Sequence, residues 1–183
     1  EIHAAFKNVR RGNGISWLET DVLDDFGTEV ERKAARREDP ERPWPNLVQD
    51  PKWLTNMAWG GWAFLDAEGF RYYLPAGLMR EVHNGPNTAS DICFYLELPK
   101  PAKDPKRDLR EHRLEQWSLL DDRQRRCVKR FVQFKIACHR AHHDAETDAL
   151  GWDRYDPVPS DWQRLLDSYW IAIPDEQISP PDA

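Results

Sequence analysis

The chain has 183 residues, of which 40% are hydrophobic and 32% charged, and its formal net charge is −6 at pH 7. A single domain of this length can bury a core without disulfide or metal cross-links, and nine tryptophans add large apolar areas to that core. No stretch approaches the roughly 18 apolar residues of a membrane-spanning helix, so we expect no membrane partner.

The first part of the chain predicts three helices. Four apolar residues have the i, i+3, i+4, i+7 spacing of a short amphipathic helix: Ile2, Ala5, Phe6 and Val9. Capping-box patterns then open a second helix at Ser16 and a third at Thr28, and Gly27 is the expected end of the second. The apolar positions of the second helix are Leu18, Val22, Leu23 and Phe26. The third helix is charged almost all round, which predicts a surface position.

A proline-rich loop is predicted over residues 39–50. Trp44 is the one aromatic anchor of this loop. Asp50 and Pro51 have the residue types of a helix N-cap and first helical position, so a further helix is expected through Trp53.

Residues 64–76 form the most distinctive motif, Phe-Leu-Asp-Ala-Glu-Gly-Phe-Arg-Tyr-Tyr-Leu-Pro-Ala. The segment 70–74 is predicted to be extended because it precedes Pro75, which is expected to begin a helix. The motif resembles the hallmark F-L-x-x-E-G-F-R-Y-Y-L-P-A of an uncharacterised bacterial domain family. This resemblance covers about residues 2–135 and implies a shared fold, with the hallmark as a structural signature.

The second half of the chain predicts three more helices. A short one covers residues 90–98 and is followed by a second proline-rich loop. A long helix starts near residue 121 and places apolar residues at helical spacing on one side. The last helix starts at Ser160 and carries Trp162 and Trp170 on its apolar stripe.

These elements predict a mainly α fold. We expect a single compact multi-helix domain over residues 1–173, with a short extended segment near 70–74. A flexible C-terminal tail is expected over residues 174–183.

The cysteines and the absence of a recognisable signal peptide predict a cytoplasmic protein. The three cysteines are odd in number and lack CxxC spacing: Cys93, Cys127 and Cys138. Buried free thiols in a reducing compartment are the interpretation that this pattern favours.

The charge is unevenly distributed along the chain. Residues 1–99 carry a net charge of −5, residues 100–140 carry +7 and residues 141–183 carry −8. This pattern predicts that the acidic C-terminal segment folds back near the basic helix. A basic patch for nucleic acid is the alternative, but the overall acidity and the lack of interleaved outward aromatics make a nucleic-acid partner unexpected.

Two histidines on the long helix are the nearest approach to a metal site. His139 and His143 are four residues apart, the spacing at which two imidazoles on a helix can share a cation, and Asp144 would add a carboxylate. The alternative is that histidines near a helix end interact with its C-terminal dipole. Arg140 stands where HExxH would have its glutamate base. A divalent metal here is the only cofactor that the residues suggest.

Arg71 lies among the rings of the hallmark and is a candidate for ligand binding. The period-two alternation of an extended segment would place Arg71 and Tyr73 on one face, where they and His83 would surround an anionic ligand. The alternative is that the guanidinium stacks on a ring and pairs with Glu68, which would hold a turn together without binding a ligand.

Two classes of function remain open. The first, which we favour, is a small acidic interaction protein of the immunity or antitoxin type that binds and neutralises a basic partner toxin. Its predicted partner-binding residues are loop aromatics and adjacent acids: Trp44, Trp152, Asp153, Tyr155 and Asp156. The second is a metal-dependent enzyme that uses His139 and His143. No G-x-S-x-G, P-loop or G-x-G-x-x-G motif is present, so no catalytic residue is assigned.

Overall fold

The computed structural model describes residues 1–50, 53, 61–83, 91–104, 108–150 and 161–175. The described residues form eight α-helices and three 3-10 turns around one hydrophobic core, and contain no strand. The helices are α1 (Ile2–Ala5), α2 (Trp17–Asp24), α3 (Glu29–Glu38), α4 (Ala67–His83), α5 (Asp91–Leu96), α6 (Arg110–Gln116), α7 (Asp122–Leu150) and α8 (Asp161–Ser168). The 3-10 turns are Trp44–Leu47, Gly61–Phe64 and Trp170–Ala172. The prediction of a mainly helical single domain is confirmed.

Across the described ranges, no helix combines the length and the low polarity that crossing a bilayer requires.

Helix α4 contains most of the hallmark and is buried on almost all sides. Phe70, Tyr72 and Leu74 are almost completely inaccessible to solvent. The prediction that residues 70–74 are extended is wrong, and so is the prediction that Pro75 begins a helix, because Pro75 lies inside α4. A proline inside a helix loses one backbone hydrogen bond and crowds the preceding turn. Packing of large side chains all around α4 outweighs that local cost.

An aromatic cluster centred on Trp17 forms one part of the core. The Trp17 ring lies 5.3 Å from Trp62, 5.5 Å from Trp53 and 5.3 Å from Tyr73, measured between ring centroids. Edge-to-face and tilted ring pairs add about 0.5–1.5 kcal/mol each beyond the area they bury. Because Trp17 begins α2 and Tyr73 belongs to α4, the cluster fixes these two helices against each other.

The last helix and the turn after it form the other part of the core. The Trp162 ring meets Phe131 of α7 edge to face at 5.6 Å, and the Trp170 ring lies 5.0 Å from Trp117. The indole N–H of Trp170 donates to the Leu96 carbonyl at 2.8 Å, so this buried polar group is satisfied. The predicted burial of Trp162 and Trp170 is therefore confirmed, but the helix ends at Ser168 and Trp170 lies in the 3-10 turn after it.

The C-terminal segment folds back on helix α7. The Lys129 Nζ donates to the Ile173 carbonyl at 2.7 Å and pairs with the Asp175 carboxylate at 3.0 Å. This ion pair joins the basic helix to the acidic end of the chain, as the charge distribution predicted. The predicted tail begins at residue 174, and residues 176–183 lie outside the described residues.

Candidate functional site

Trp44 is a core residue and not a surface anchor. Its side chain is 2% exposed, and its indole N–H donates to the Phe6 carbonyl at 2.8 Å. The 3-10 turn at Trp44–Leu47 directs the ring inward because burial satisfies both its large apolar area and its one polar group. The prediction that Trp44 contacts a partner is corrected accordingly. The other four predicted partner-binding residues lie outside the described residues: Trp152, Asp153, Tyr155 and Asp156.

The structure does not bring Arg71, Tyr73 and His83 together. All three belong to α4, where residues two apart point about 200° apart and residues ten apart are about 15 Å apart along the axis. The Arg71 Nε donates to the Gln124 Oε1 at 3.1 Å, Tyr73 is buried, and His83 is exposed. The predicted pocket depended on an extended segment, and the helix separates its residues.

The Tyr73 hydroxyl instead belongs to a buried polar network. It donates to the Asp39 Oδ2 at 2.8 Å and accepts from the Arg11 guanidinium at 3.1 Å and from the Trp17 backbone N–H at 2.9 Å. Burial raises the pKa of Tyr73 most, and the charge of Asp39 raises it further, so the hydroxyl keeps its proton. One hallmark side chain thus connects Arg11, the start of α2 and the residue after α3.

Close backbone contact also fixes the hallmark to the loop before α2. A Cβ atom on Gly69 would lie 2.6 Å from the Ile15 carbonyl oxygen, so only glycine fits. The Asp66 Oδ1 accepts from the backbone N–H groups of Ile15 at 3.0 Å and Gly69 at 2.8 Å. The hallmark therefore supports residues 16–39, which we call the α2–α3 hairpin.

A buried acid joins the two helices of this hairpin. The Glu19 carboxylate accepts from the Ser16 backbone N–H at 2.8 Å and from the Arg36 guanidinium at 3.0 Å. Arg36 also donates to the carbonyls of Gly12 at 2.7 Å and Gly14 at 2.8 Å. Because charge-assisted bonds in a buried setting resist opening, the hairpin is expected to be rigid.

The turn of the hairpin presents an exposed aromatic side chain. Phe26 is 96% exposed and has a φ of +55°, and the neighbouring Val30 is 75% exposed. A left-handed conformation costs a bulky residue about 1–2 kcal/mol. The turn is held by the Gly27 N–H, which donates to the Val22 carbonyl at 2.7 Å. Phe26 was predicted as an apolar position of the second helix, but α2 ends at Asp24.

Acidic residues flank this side chain in the sequence. Residues 24–31, which we call the acidic tip, contain four acidic residues and no basic one: Asp24, Asp25, Glu29 and Glu31. Glu29 pairs with Arg32 at 3.3 Å and with Lys33 at 3.6 Å. In the part of the chain that the structure describes, Asp24 and Asp25 form no ion pair. An exposed phenylalanine beside uncompensated carboxylates suits contact with a basic surface that has an apolar depression.

Helical spacing alone places Phe26 on the core-facing side of the second helix, so this pattern did not predict the acidic tip. A signal was nevertheless present. Phe26 stands between two aspartates and a glycine, and such a run favours a turn over the continuation of a helix.

The predicted metal ligands lie in the middle of a helix. Helix α7 continues to Leu150, so His139 and His143 are not near its C-terminus and the helix-end interpretation is wrong. The His143 Nδ1 lies 3.9 Å from the adjacent Asp144 carboxylate. Among the residues that the structure describes, no group of three or more potential ligands is close enough to hold a metal ion.

The cysteines are free thiols, as predicted, and one is buried in the core. Cys127 is buried, whereas Cys93 and Cys138 are half-buried. Burial raises the pKa of the Cys127 thiol to about 12, which disfavours the reactive thiolate.

We expect iodoacetamide to alkylate Cys138 in the native protein and to leave Cys127 unmodified. At pH 8 a thiol with a pKa near 12 is ionised in about one molecule in ten thousand. Peptide mass spectrometry after timed alkylation measures both sites, and the same reaction in urea provides the control in which both react. Equal native rates at the two cysteines would contradict the structure.

The comparisons with known proteins identify a family but no function. A family model described as "Family of unknown function (DUF6714)" matches residues 1–173. No curated protein and no solved structure matches the chain.

Proposed function

The chain belongs to this family of unknown function, and we propose that it is an immunity- or antitoxin-type protein that binds a basic partner toxin and neutralises it. The observation that carries the proposal is Phe26, which is 96% exposed within the acidic tip. Exposed aromatic side chains frequently supply most of the binding energy of a protein interface.

The shape and charge of the acidic tip support this assignment. The hydrogen-bonded turn holds the backbone of Phe26 in its left-handed conformation before binding, so less backbone entropy is lost on association. The surrounding carboxylates would accelerate encounter with a positively charged protein and disfavour acidic competitors. Covering a basic functional surface of the toxin would neutralise it.

The other charges and the thiols are compatible with the same function. The net charge of −6 favours basic partners over nucleic acid. Free thiols suit a reducing compartment, and we propose that the protein acts in the cytoplasm. A metal-dependent activity gains no support from the described residues, because no group of three or more potential ligands lies close together among them.

A photo-crosslinking amino acid at position 26 tests the proposal in the native organism. We expect it to capture a basic protein that inhibits growth when it is expressed alone and is neutralised by co-expression of this chain. The matched control is the same amino acid at Phe134, which is 47% exposed on α7 but lies one helical turn from Arg130.

A substitution of Phe26 tests whether this side chain is needed for neutralisation. Phe26→Asp should abolish growth protection while leaving the circular dichroism spectrum unchanged and the thermal midpoint unchanged or slightly raised, because the side chain has almost no contacts to lose and aspartate adopts the left-handed backbone at lower cost. Capture of the same protein at position 134, or full protection by Phe26→Asp, would disprove the assigned surface. Trp152→Ala in the same assay tests the predicted contact at residues 152–156.

A further inference from the structure

Arg113 on helix α6 is a buried cation that has no acidic partner among the described residues. It is 4% exposed, and no carboxylate of the described residues lies within ion-pair distance of its guanidinium. The three other buried cations in the described part of the chain each pair with an acid: Arg11 with Asp39, Lys129 with Asp175 and Lys135 with Glu81. Since an unpaired buried charge is costly, this exception needs a physical reason.

Two aromatic rings and one amide surround the guanidinium. Its central carbon lies 4.6 Å from the centroid of the Tyr95 ring and 5.8 Å from that of Phe94, both on α5. One terminal nitrogen donates to the Gln116 Oε1 at 3.1 Å. The Gln116 amide nitrogen donates to the carbonyls of Trp62 and Leu65, both at 2.8 Å, so its oxygen is fixed toward Arg113.

This arrangement leaves one edge of the guanidinium with unused donors. The guanidinium of arginine has five N–H donors. The hydrogen bond to Gln116 uses one of them, on one side of the group. The Nε of Arg113 is buried and has no hydrogen-bond partner among the described residues. The edge formed by Nε and the second terminal nitrogen has the geometry that binds two oxygens of a carboxylate or a phosphate.

We propose that Arg113 is the recognition group of a binding site for a small oxyanion, a carboxylate or a phosphate, between helices α5 and α6. Gln116 orients the guanidinium, and the Tyr95 ring holds it by a cation–π contact. Phe94 is 59% exposed and its ring lies 5.8 Å from the guanidinium carbon, so we place the entrance to the site beside this surface ring. The site does not depend on the proposed toxin partner, because the acidic tip belongs to a different part of the chain.

Burial also affects the charge of this group. Desolvation lowers the pKa of Arg113 to about 10, and the charge of Tyr95 opposes that change in part. The guanidinium is still protonated at pH 7, so it can bind an anion there. A bound anion would favour the protonated form, and by linkage it would raise this pKa.

The test follows the side-chain Nε–H resonance of Arg113 in ¹⁵N NMR during titration with sodium phosphate or sodium acetate at constant ionic strength. We expect a saturable shift of this resonance with at least one of the two anions and none with sodium chloride. A response to acetate alone assigns the site to carboxylates, and a response to phosphate alone assigns it to phosphates. No saturable shift with either anion would overturn the proposal.

Thermal unfolding provides the second measurement. The anion that shifts the resonance should raise the midpoint of the wild-type protein, because it binds the folded state alone. This increase should disappear in Arg113→Met and persist in Arg123→Met, which removes an exposed cation from α7. An equal increase in Arg113→Met would identify a general salt effect and would overturn the proposal. If Arg113→Met does not fold, the wild-type NMR titration decides.

Discussion

Replacing Arg11 by methionine is expected to lower the free energy of unfolding by about 3–5 kcal/mol, the usual loss when one partner of a buried ion pair is removed. The guanidinium lies 3.4 Å from the Asp39 carboxylate, and it donates to the Tyr73 hydroxyl at 3.1 Å and to the Asp39 carbonyl at 2.8 Å. Methionine fills a similar volume but leaves the Asp39 charge without its cation. Urea unfolding followed by tryptophan fluorescence measures the difference.

Arg10 offers a matched control one residue earlier. Its side chain is exposed and lies 3.8 Å from Glu41, so Arg10→Met should change stability by no more than about 0.5 kcal/mol. If the two methionine variants were equally stable, the buried network would not have the importance assigned to it. Combining Arg11→Met with Tyr73→Phe should give less than the sum of the two losses, because both changes disrupt the same hydrogen bond.

Gly69→Ala is expected to destabilise the protein by about 1–3 kcal/mol, as overpacking of a closed contact does. The new Cβ would lie 2.6 Å from the Ile15 carbonyl oxygen and 3.0 Å from the Asp66 Oδ1. The backbone oxygen cannot rotate away as a side chain can, so the loop before α2 must move. Thermal and urea unfolding measure the loss of stability, and hydrogen exchange shows whether the α2–α3 hairpin loses protection.

Helix propensity alone makes the opposite prediction for this variant. Alanine is favoured over glycine inside a helix by about 1 kcal/mol, so Gly69→Ala would stabilise α4 if packing did not matter. Ala67→Gly is the matched control, two residues earlier at a half-buried position. It makes the reverse substitution, so helix propensity alone predicts a loss of stability for it. A Gly69→Ala variant as stable as the wild type would show that the close contact can relax without cost.

The helix starts that depend on local chemistry could be predicted from the sequence. The sequence predicts capping boxes at Ser16 with Glu19 and at Thr28 with Glu31. Both hydrogen bonds form at Thr28, and at Ser16 the bond from its backbone N–H to the Glu19 carboxylate forms. These signals are reliable because the cap satisfies backbone donors within one turn of the chain. The spacing of Trp162 and the apolar residues after it was equally informative, because amphipathic periodicity reports the direction of the core.

The errors arose where distant contacts determine the conformation. Local sterics favour Pro75 as a helix start, but α4 continues through it under packing from almost all sides. That one error also produced the predicted pocket at Arg71 and Tyr73. A proline loop gives no periodicity from which the burial of Trp44 could be predicted. The apolar spacing continues past the true end of α2 and therefore places Phe26 in the core.

The arrangement of the indole rings gives the α2–α3 hairpin an optical signal of its own. Trp17 belongs to the hairpin, whereas Trp62 lies outside it, and their rings are 5.3 Å apart at an interplanar angle of 81°. Near-ultraviolet circular dichroism depends on such fixed asymmetric environments and is lost when specific packing is lost. The contribution of this ring pair to the near-ultraviolet signal is therefore lost when the hairpin that carries the acidic tip undocks, and a stopped-flow experiment can follow that loss in the unlabelled protein.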